Sequence, residues 1–420
     1  MHKIKKLSNG LRLITMPVAG TKTATILIMV ATGSKYETRE NNGISHFLEH
    51  MFFKGTKKRP TAMAISAELD GVGGEYNAFT GKEYTGYYVK VDASKLELAM
   101  DVVSDMLLNS KLEPEEIERE KGVIIEEINM YEDNPIMHVE DIFEECLYGD
   151  QPAGWETAGT KDNVKSFKRE DFTSYLESQY GVKNSVVCIA GKLNASTVKL
   201  AEKYFSGFRK TKAQDKLPVK EGQKIPAVLL SRKKTDQAHL ALGVRSYAAG
   251  HKDEYIIKVL SVLLGGSMSS RLFINLRERK GLAYYVRTGA EFYTDSGYFS
   301  TQAGVPVDKI NEAVSTILEE YGKVKNGGIE KEELKKVKDL IRGRLTIQLE
   351  SSDSNANWFA RQVLMKKKVL SVEEYLKKIE KVTAKDLARV AKDIFVNQGL
   401  NLAIIGPYED KGRFEKLLKF

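Results

Sequence analysis

A chain of 420 residues, 42% hydrophobic and 29% charged, exceeds one ordinary core and has the composition of a soluble globular protein with two or more domains. Its longest uncharged apolar run, Thr23 to Ser34, spans 12 residues, against the roughly 20 that a membrane-crossing helix needs, so no membrane partner is expected. The net charge of +8 comes from lysines scattered among glutamates, and short runs such as Lys57-Lys58-Arg59 and Lys366-Lys367-Lys368 read as solvated faces, so no nucleic-acid partner is expected either.

The start, Met1-His2-Lys3-Ile4-Lys5-Lys6, has no apolar segment followed by a small-residue cleavage site. An unexported, cytoplasmic protein is expected, or one already trimmed. The two cysteines, Cys146 and Cys188, have no metal-type spacing and point to a reducing compartment. Residues 4–14 predict a hairpin about Asn9-Gly10, and Ala24 to Ala31 a buried strand that ends at the Gly33-Ser34 turn.

The next stretch, Gly43 to Phe53, sets His46 and His50 four apart with Glu49 beside the second. On a helix, residues i and i+4 share a face, so two imidazoles can meet one ion. Glu49 then lies near the ion but off the ligand edge, where a general base for a metal-activated water belongs. Phe47, Leu48 and Met51 to Phe53 would bury this helix, and buried imidazole or carboxylate is costly unless paired or metallated. The competing reading is two core histidines satisfied by backbone carbonyls.

Ala62 to Leu69 predicts a helix broken by Gly71-Val72-Gly73-Gly74, residues 75–91 predict two strands, and helical patterns run from Leu96 to Tyr131. Placing the residues of Glu115 to Tyr131 at about 100° intervals aligns Ile117, Ile124, Ile128 and Tyr131. Glu120 and Glu127 then border that stripe, while Glu126 points away. Glu127 is thus the better third ligand, with Glu120 in a supporting place, although the same phase also describes two ordinary edge glutamates of an amphipathic helix.

Residues from Arg209 to Lys224 read as a linker, and the chain beyond it echoes the chain before it. Leu112-Glu113-Pro114-Glu115-Glu116-Ile117 parallels Ile329-Glu330-Lys331-Glu332-Glu333-Leu334, Gly86-Tyr87-Tyr88 parallels Gly297-Tyr298-Phe299, and Ile189-Ala190-Gly191 parallels Ile404-Ile405-Gly406. Such near-constant spacing predicts two copies of one α+β domain, residues 1–212 and 225–420, joined by 213–224. The second copy lacks the two-histidine helix. In its place Gly265-Gly266-Ser267-Met268-Ser269-Ser270-Arg271-Leu272-Phe273 predicts a helix running to Lys280, a left-handed cap at Gly281 and a strand from Leu282 to Val286. By pattern alone, Arg277 is a surface arginine and Tyr284 a strand aromatic. His138, His239 and His251 have no partner at ligand spacing and read as structural or surface residues.

The run His46 to Thr56, with Asn77-Ala78-Phe79-Thr80, Glu118-Arg119-Glu120-Lys121 and Glu126-Glu127, resembles the pitrilysin and insulinase metallopeptidase family. Within it, the chain is similar to bacterial zinc proteases related to mitochondrial processing peptidase. This resemblance implies a mainly antiparallel sheet packed with helices in each domain. It implies that His46, His50 and Glu127 bind one Zn2+ per chain, that Glu49 is the general base, and that Glu120 supports the ligands. It also implies that Asn77, Ala78 and Phe79 lie on an edge strand that takes the substrate backbone, and that Arg277 and Tyr284 grip substrate near the scissile bond. A peptidase of unfolded peptides or leader segments is therefore expected. In relatives the arginine and tyrosine belong to the second half of a four-domain clamshell, which implies a homodimer whose sites are completed in trans. The alternative from another class is a non-catalytic peptide-binding or scaffold subunit; a dedicated maturase is a second enzymatic alternative.

Overall fold

The apolar run after Thr23 forms a strand buried on both faces, which is why it reads as continuous rather than alternating. One face, Ala24, Ile26, Ile28 and Val30, joins a core that includes Phe47, Ile117, Ile124 and Ile128. The other face, through Leu27 and Met29, packs with Ile14, Val186, Cys188, Ala356, Phe359 and Ala360. The computed structural model describes residues 2–211, 213–366 and 368–420. Lys212, at the expected end of the first domain, and Lys367, within the Lys366 to Lys368 run, lie outside the described residues.

Six strands make the first sheet: β1 (Lys3–Lys6), β2 (Arg12–Pro17), β3 (Thr23–Val30), β4 (Glu75–Thr80), β5 (Thr85–Asp92) and β6 (Ser185–Gly191). Their order is β1-β2-β6-β3-β5-β4, so β4 is an edge with one side unpaired by the sheet. All pairs are antiparallel except β2 with β6. The β1–β2 hairpin turns at Gly10, whose φ of +94° is the left-handed conformation that glycine adopts without steric cost.

Five strands make the second sheet: β7 (Ala227–Arg232), β8 (Gln237–Arg245), β9 (Tyr285–Phe292), β10 (Gly297–Pro306) and β11 (Leu400–Gly406). The order β7-β11-β8-β10-β9, again with one parallel pair at β7 and β11, repeats the arrangement of β2, β6, β3, β5 and β4. The repeat in the sequence is thus a repeat of fold, and each copy is α+β.

Each sheet is closed on one face by a helix from a distant part of the chain. Ser352–Met365 covers β3 and β6, and the hydroxyl of its first residue shares a 2.7 Å hydrogen bond with the Thr25 hydroxyl. Pro135–Tyr148 covers β8 and β11, with Val139 and Phe143 against Ala241, Ala403 and Ile405. The compact units are consequently assembled from three segments each, 1–128, 156–217 and 346–369 in the first, and 129–155, 218–345 and 370–420 in the second. The expected division at 212 and 225 follows the repeat; these two helices cross it.

One local expectation needs correcting. The helix expected to reach Lys280 is a π-helix over Phe273–Arg279, wide enough that the Lys280 N–H bonds to the Asn275 carbonyl. Gly281 is left-handed at φ +59°, as expected, but the strand starts at Tyr285 rather than Leu282. Leu282 and Ala283 are buried among core residues, so their apolar character reflects packing rather than strand pairing. No helix among the described residues is long and apolar enough to cross a membrane.

Candidate metal centre

The two-histidine helix runs Ile44–Met51 and starts where the backbone can turn sharply. Gly43 has φ +101°, and a Cβ there would meet the Ala158 carbonyl oxygen at 2.5 Å. The side chain of Glu37 caps this start, accepting hydrogen bonds from the Gly43 and Ser45 N–H groups at 2.8 Å each and from the Asn42 amide at 3.0 Å. Burial raises the Glu37 carboxyl above its usual range, and these donors oppose that shift. Ile44, Phe47, Leu48 and Met51 anchor the helix in the core, Phe47 meeting Phe172 edge to face at 4.8 Å. His46, Glu49 and His50 are left on the partly open face.

A second helix, Pro114–Asp133, buries Ile117, Glu120, Ile124 and Ile128, while Glu127 is half-buried and Glu126 exposed. The predicted phase therefore holds. Glu127 Oε1 lies 3.6 Å from His46 Nε2, and its Oε2 lies 3.4 Å from His50 Nε2. His50 Nδ1 is engaged by Glu120 Oε1 at 2.9 Å, which turns Nε2 towards Glu127. Lys54 Nζ completes this row of charges at 2.6 Å from Glu120 Oε2.

His46, His50 and Glu127 each offer an atom within 4.8 Å of the others, and they are the only group of three or more His, Cys, Asp or Glu residues among the described residues that could hold a metal. Ligand atoms about 2.1 Å from a tetrahedral ion stand about 3.4 Å apart, which is the spacing of the Nε2 and carboxylate atoms here. The donor set, two imidazoles and one carboxylate with a supporting carboxylate behind, fits zinc. His46 Nδ1 is buried without a hydrogen-bond partner, so no contact at that nitrogen holds the ring away from an ion at Nε2.

The charged groups of the cluster shift one another. Burial alone would lower the His50 pKa, but its hydrogen bond to Glu120 and the close Glu127 carboxylate push it up to about 9. The facing His46 and His50 rings, 3.6 and 3.4 Å away, hold Glu127 well below the usual carboxylate range. Burial would raise Glu120, yet His50 and Lys54 bring it below its ordinary value. Glu49 moves the other way: burial raises it, partly offset by the Thr80 hydroxyl, which donates to Oε2 at 2.5 Å.

Residues 13–161 match the model of the insulinase family, peptidase family M16, and residues 166–341 match that of the M16 inactive domain. The chain belongs to the M16 family. A relative in Bacillus subtilis, the "Uncharacterized zinc protease YmxG", is 36% identical over 97% of this chain and 98% of its own length. The crystal structure of a protease from Helicobacter pylori superposes with a TM-score of 0.91 at 25% identity, covering 97% of this chain and 99% of that one. A chain of Complex III2 from Candida albicans shares the fold, with a TM-score of 0.85 at 17% identity over the full length of both. All three metal-cluster residues fall within the stretch matched by the first M16 model.

The other residues that the resemblance singles out fall in two places. Asn77, Ala78 and Phe79 lie on the edge strand β4, where the Asn77 side-chain oxygen accepts a 2.8 Å bond from the Ala78 N–H. Arg277 and Tyr284 belong to the second unit and lie together: Arg277 donates to the Tyr284 carbonyl at 2.9 Å and its guanidinium sits 5.4 Å from the ring. Tyr284 is 74% exposed. His239 and His251 are structural, His239 bonded to the Tyr285 hydroxyl at 3.1 Å and His251 stacked on Tyr247. Glu37, Lys54 and Thr80 are neighbours of the cluster to which the sequence reading assigns no role of their own. Lys54 lies in the turn just past the end of the helix at Met51, and Glu37 reaches the helix start through a loop, so neither carries a periodicity signal.

Proposed function

We propose that this protein is a zinc-dependent endopeptidase that hydrolyses unfolded peptides or leader segments. The observation that carries the reading is the convergence of His46, His50 and Glu127 at ligand spacing, with Glu49 beside them and Glu120 behind. His46, His50 and Glu127 would hold the ion. When bound, zinc supplies Lewis acidity, lowering the pKa of water towards about 7 and polarising the peptide carbonyl. Glu49 takes the proton from the attacking water and returns it to the leaving amine; a carboxyl raised by burial is suited to that exchange.

Glu120 accepts from His50 Nδ1, fixing the tautomer that keeps Nε2 unprotonated for the ion. The free side of β4 takes the substrate main chain at Asn77, Ala78 and Phe79 by strand addition. Because backbone is read, the substrate must be extended and its sequence matters less. Arg277 and Tyr284 grip the peptide near the scissile bond, and a homodimer supplies them in trans.

The test is hydrolysis of a quenched fluorescent peptide. The reading expects cleavage that is lost with a chelator, restored by zinc and absent in Glu49→Gln. Purified metal-loaded protein that cuts no member of a broad peptide set would contradict it.

A further inference from the structure

β4 ends at Thr80, whose hydroxyl donates to Glu49 Oε2 at 2.5 Å. This is a link between the substrate-facing strand and the general base, made by a residue with no place among the metal ligands or the substrate-contacting residues. Ionised glutamate accepts hydrogen bonds at both oxygens, and a hydroxyl has one proton to give. Thr80 takes one of the two acceptor sites of Oε2, and Oε1, which accepts nothing from Thr80, keeps both of its sites for a water.

The linkage is stiff at both ends. Glu49 is fixed to a helix whose opposite face is packed by Phe47, Leu48 and Met51. Thr80 is β-branched, so its χ1 freedom is restricted, and it is paired to Thr85 in the sheet register. A glutamate side chain otherwise carries substantial rotamer freedom, which a base must lose before it can accept a proton productively. The backbone that holds Thr80 is continuous with Asn77, Ala78 and Phe79, so a peptide aligned on β4 is aligned on the strand that also fixes the base.

We propose that Thr80 is a positioning residue for catalysis. It orients the Glu49 carboxylate through Oε2 and couples the register of the edge strand to the placement of the base. The proposal rests on Glu49 acting as the general base.

The test compares wild type, Thr80→Val, Thr80→Ser and Glu49→Gln, all zinc-loaded, in steady-state peptide hydrolysis, with zinc affinity and unfolding midpoint measured on the same samples. Valine keeps the shape and the branch but not the donor. A hydrogen bond to a charged group predicts that kcat of Thr80→Val falls about tenfold or more while KM, zinc affinity and unfolding midpoint stay close to wild type. Thr80→Ser, which restores the donor on a freer side chain, recovers most of the loss. Thr80→Ala serves as the hydroxyl-free variant if valine impairs folding. Wild-type kcat in the hydroxyl-free variant, with Glu49→Gln inactive, overturns the role of Thr80 and leaves the peptidase reading standing. A wild type that hydrolyses nothing, or a fully active Glu49→Gln, overturns the reading beneath it and the positioning role with it.

Discussion

Glu120 Oε1 and His50 Nδ1 are 2.9 Å apart, so the glutamate seven residues before Glu127 holds the second histidine by the ring nitrogen that Glu127 does not face. Lys54, at 2.6 Å from the other Glu120 oxygen, supplies the countercharge that a nearly buried carboxylate requires. Loss of such a supporting carboxylate weakens a metal site by about 10- to 100-fold. Glu120→Ala is therefore expected to lower zinc affinity by that order, measured by chelator competition, with the ligands themselves intact. Unchanged affinity would place Glu120 outside the metal site's support.

The pH dependence has a definite sign. In the metal-free protein the His50 pKa is raised from 6.5 to about 9, so the charged ring contributes stability that is complete below about pH 6.5 and is lost as the pH rises through about 9. Metal binding needs the neutral ring and strengthens over the same interval. The rise in unfolding temperature produced by zinc should therefore grow from pH 6.5 to 9, at constant free metal. A zinc effect that is flat or shrinks across this interval would contradict the electrostatics of the cluster.

The proposed sharing of sites between two subunits would leave a kinetic signature. Glu49→Gln removes the proposed base from one chain, and Arg277→Ala the proposed gripping arginine from another; each of the proposed homodimers is expected to be inactive. Mixing the two after subunit exchange should restore about a quarter to a half of wild-type activity, since mixed dimers hold one complete site. No recovery in verified mixed dimers would sink completion in trans.

The helix that closes the first sheet from far along the chain also makes a prediction. Phe359 is 2% exposed and packs against the sheet with Leu27, Met29 and Val186. Phe359→Ala should cost about 3 kcal/mol or more, read by denaturant unfolding. A fragment of residues 1–217 lacks the helix Ser352–Met365 altogether and should expose that apolar face, binding a hydrophobic dye or self-associating. A monomeric, well-folded fragment would show that the helix is dispensable.

Much of the fold and the site is legible in the sequence because it rests on short-range periodicity. The phase of Ile117, Ile124 and Ile128 sets Glu120 and Glu127 inward and Glu126 outward, and the spacing of His46 and His50 sets two rings side by side, 4.7 Å between centroids. The internal repeat announces two similar sheets. The sequence is silent where contacts are made across long separations: the helix Ser352–Met365 closing a sheet built from residues before 192, and Glu37 capping a helix through a loop. It misleads at Leu282 and Ala283, where apolar residues serve the core without joining a strand, and the turn around Gly281 decides where pairing begins.

The central claim is that His46, His50 and Glu127 bind the catalytic metal, and the adjacent glutamates provide an internal control. Metal content and peptide hydrolysis should be measured together on wild type, Glu127→Gln and Glu126→Gln. The account predicts that Glu127→Gln loses both while Glu126→Gln, changed on the exposed side of the same helix, retains both. Full metal content and activity in Glu127→Gln, or a wild type that binds no metal and cuts nothing, would contradict it.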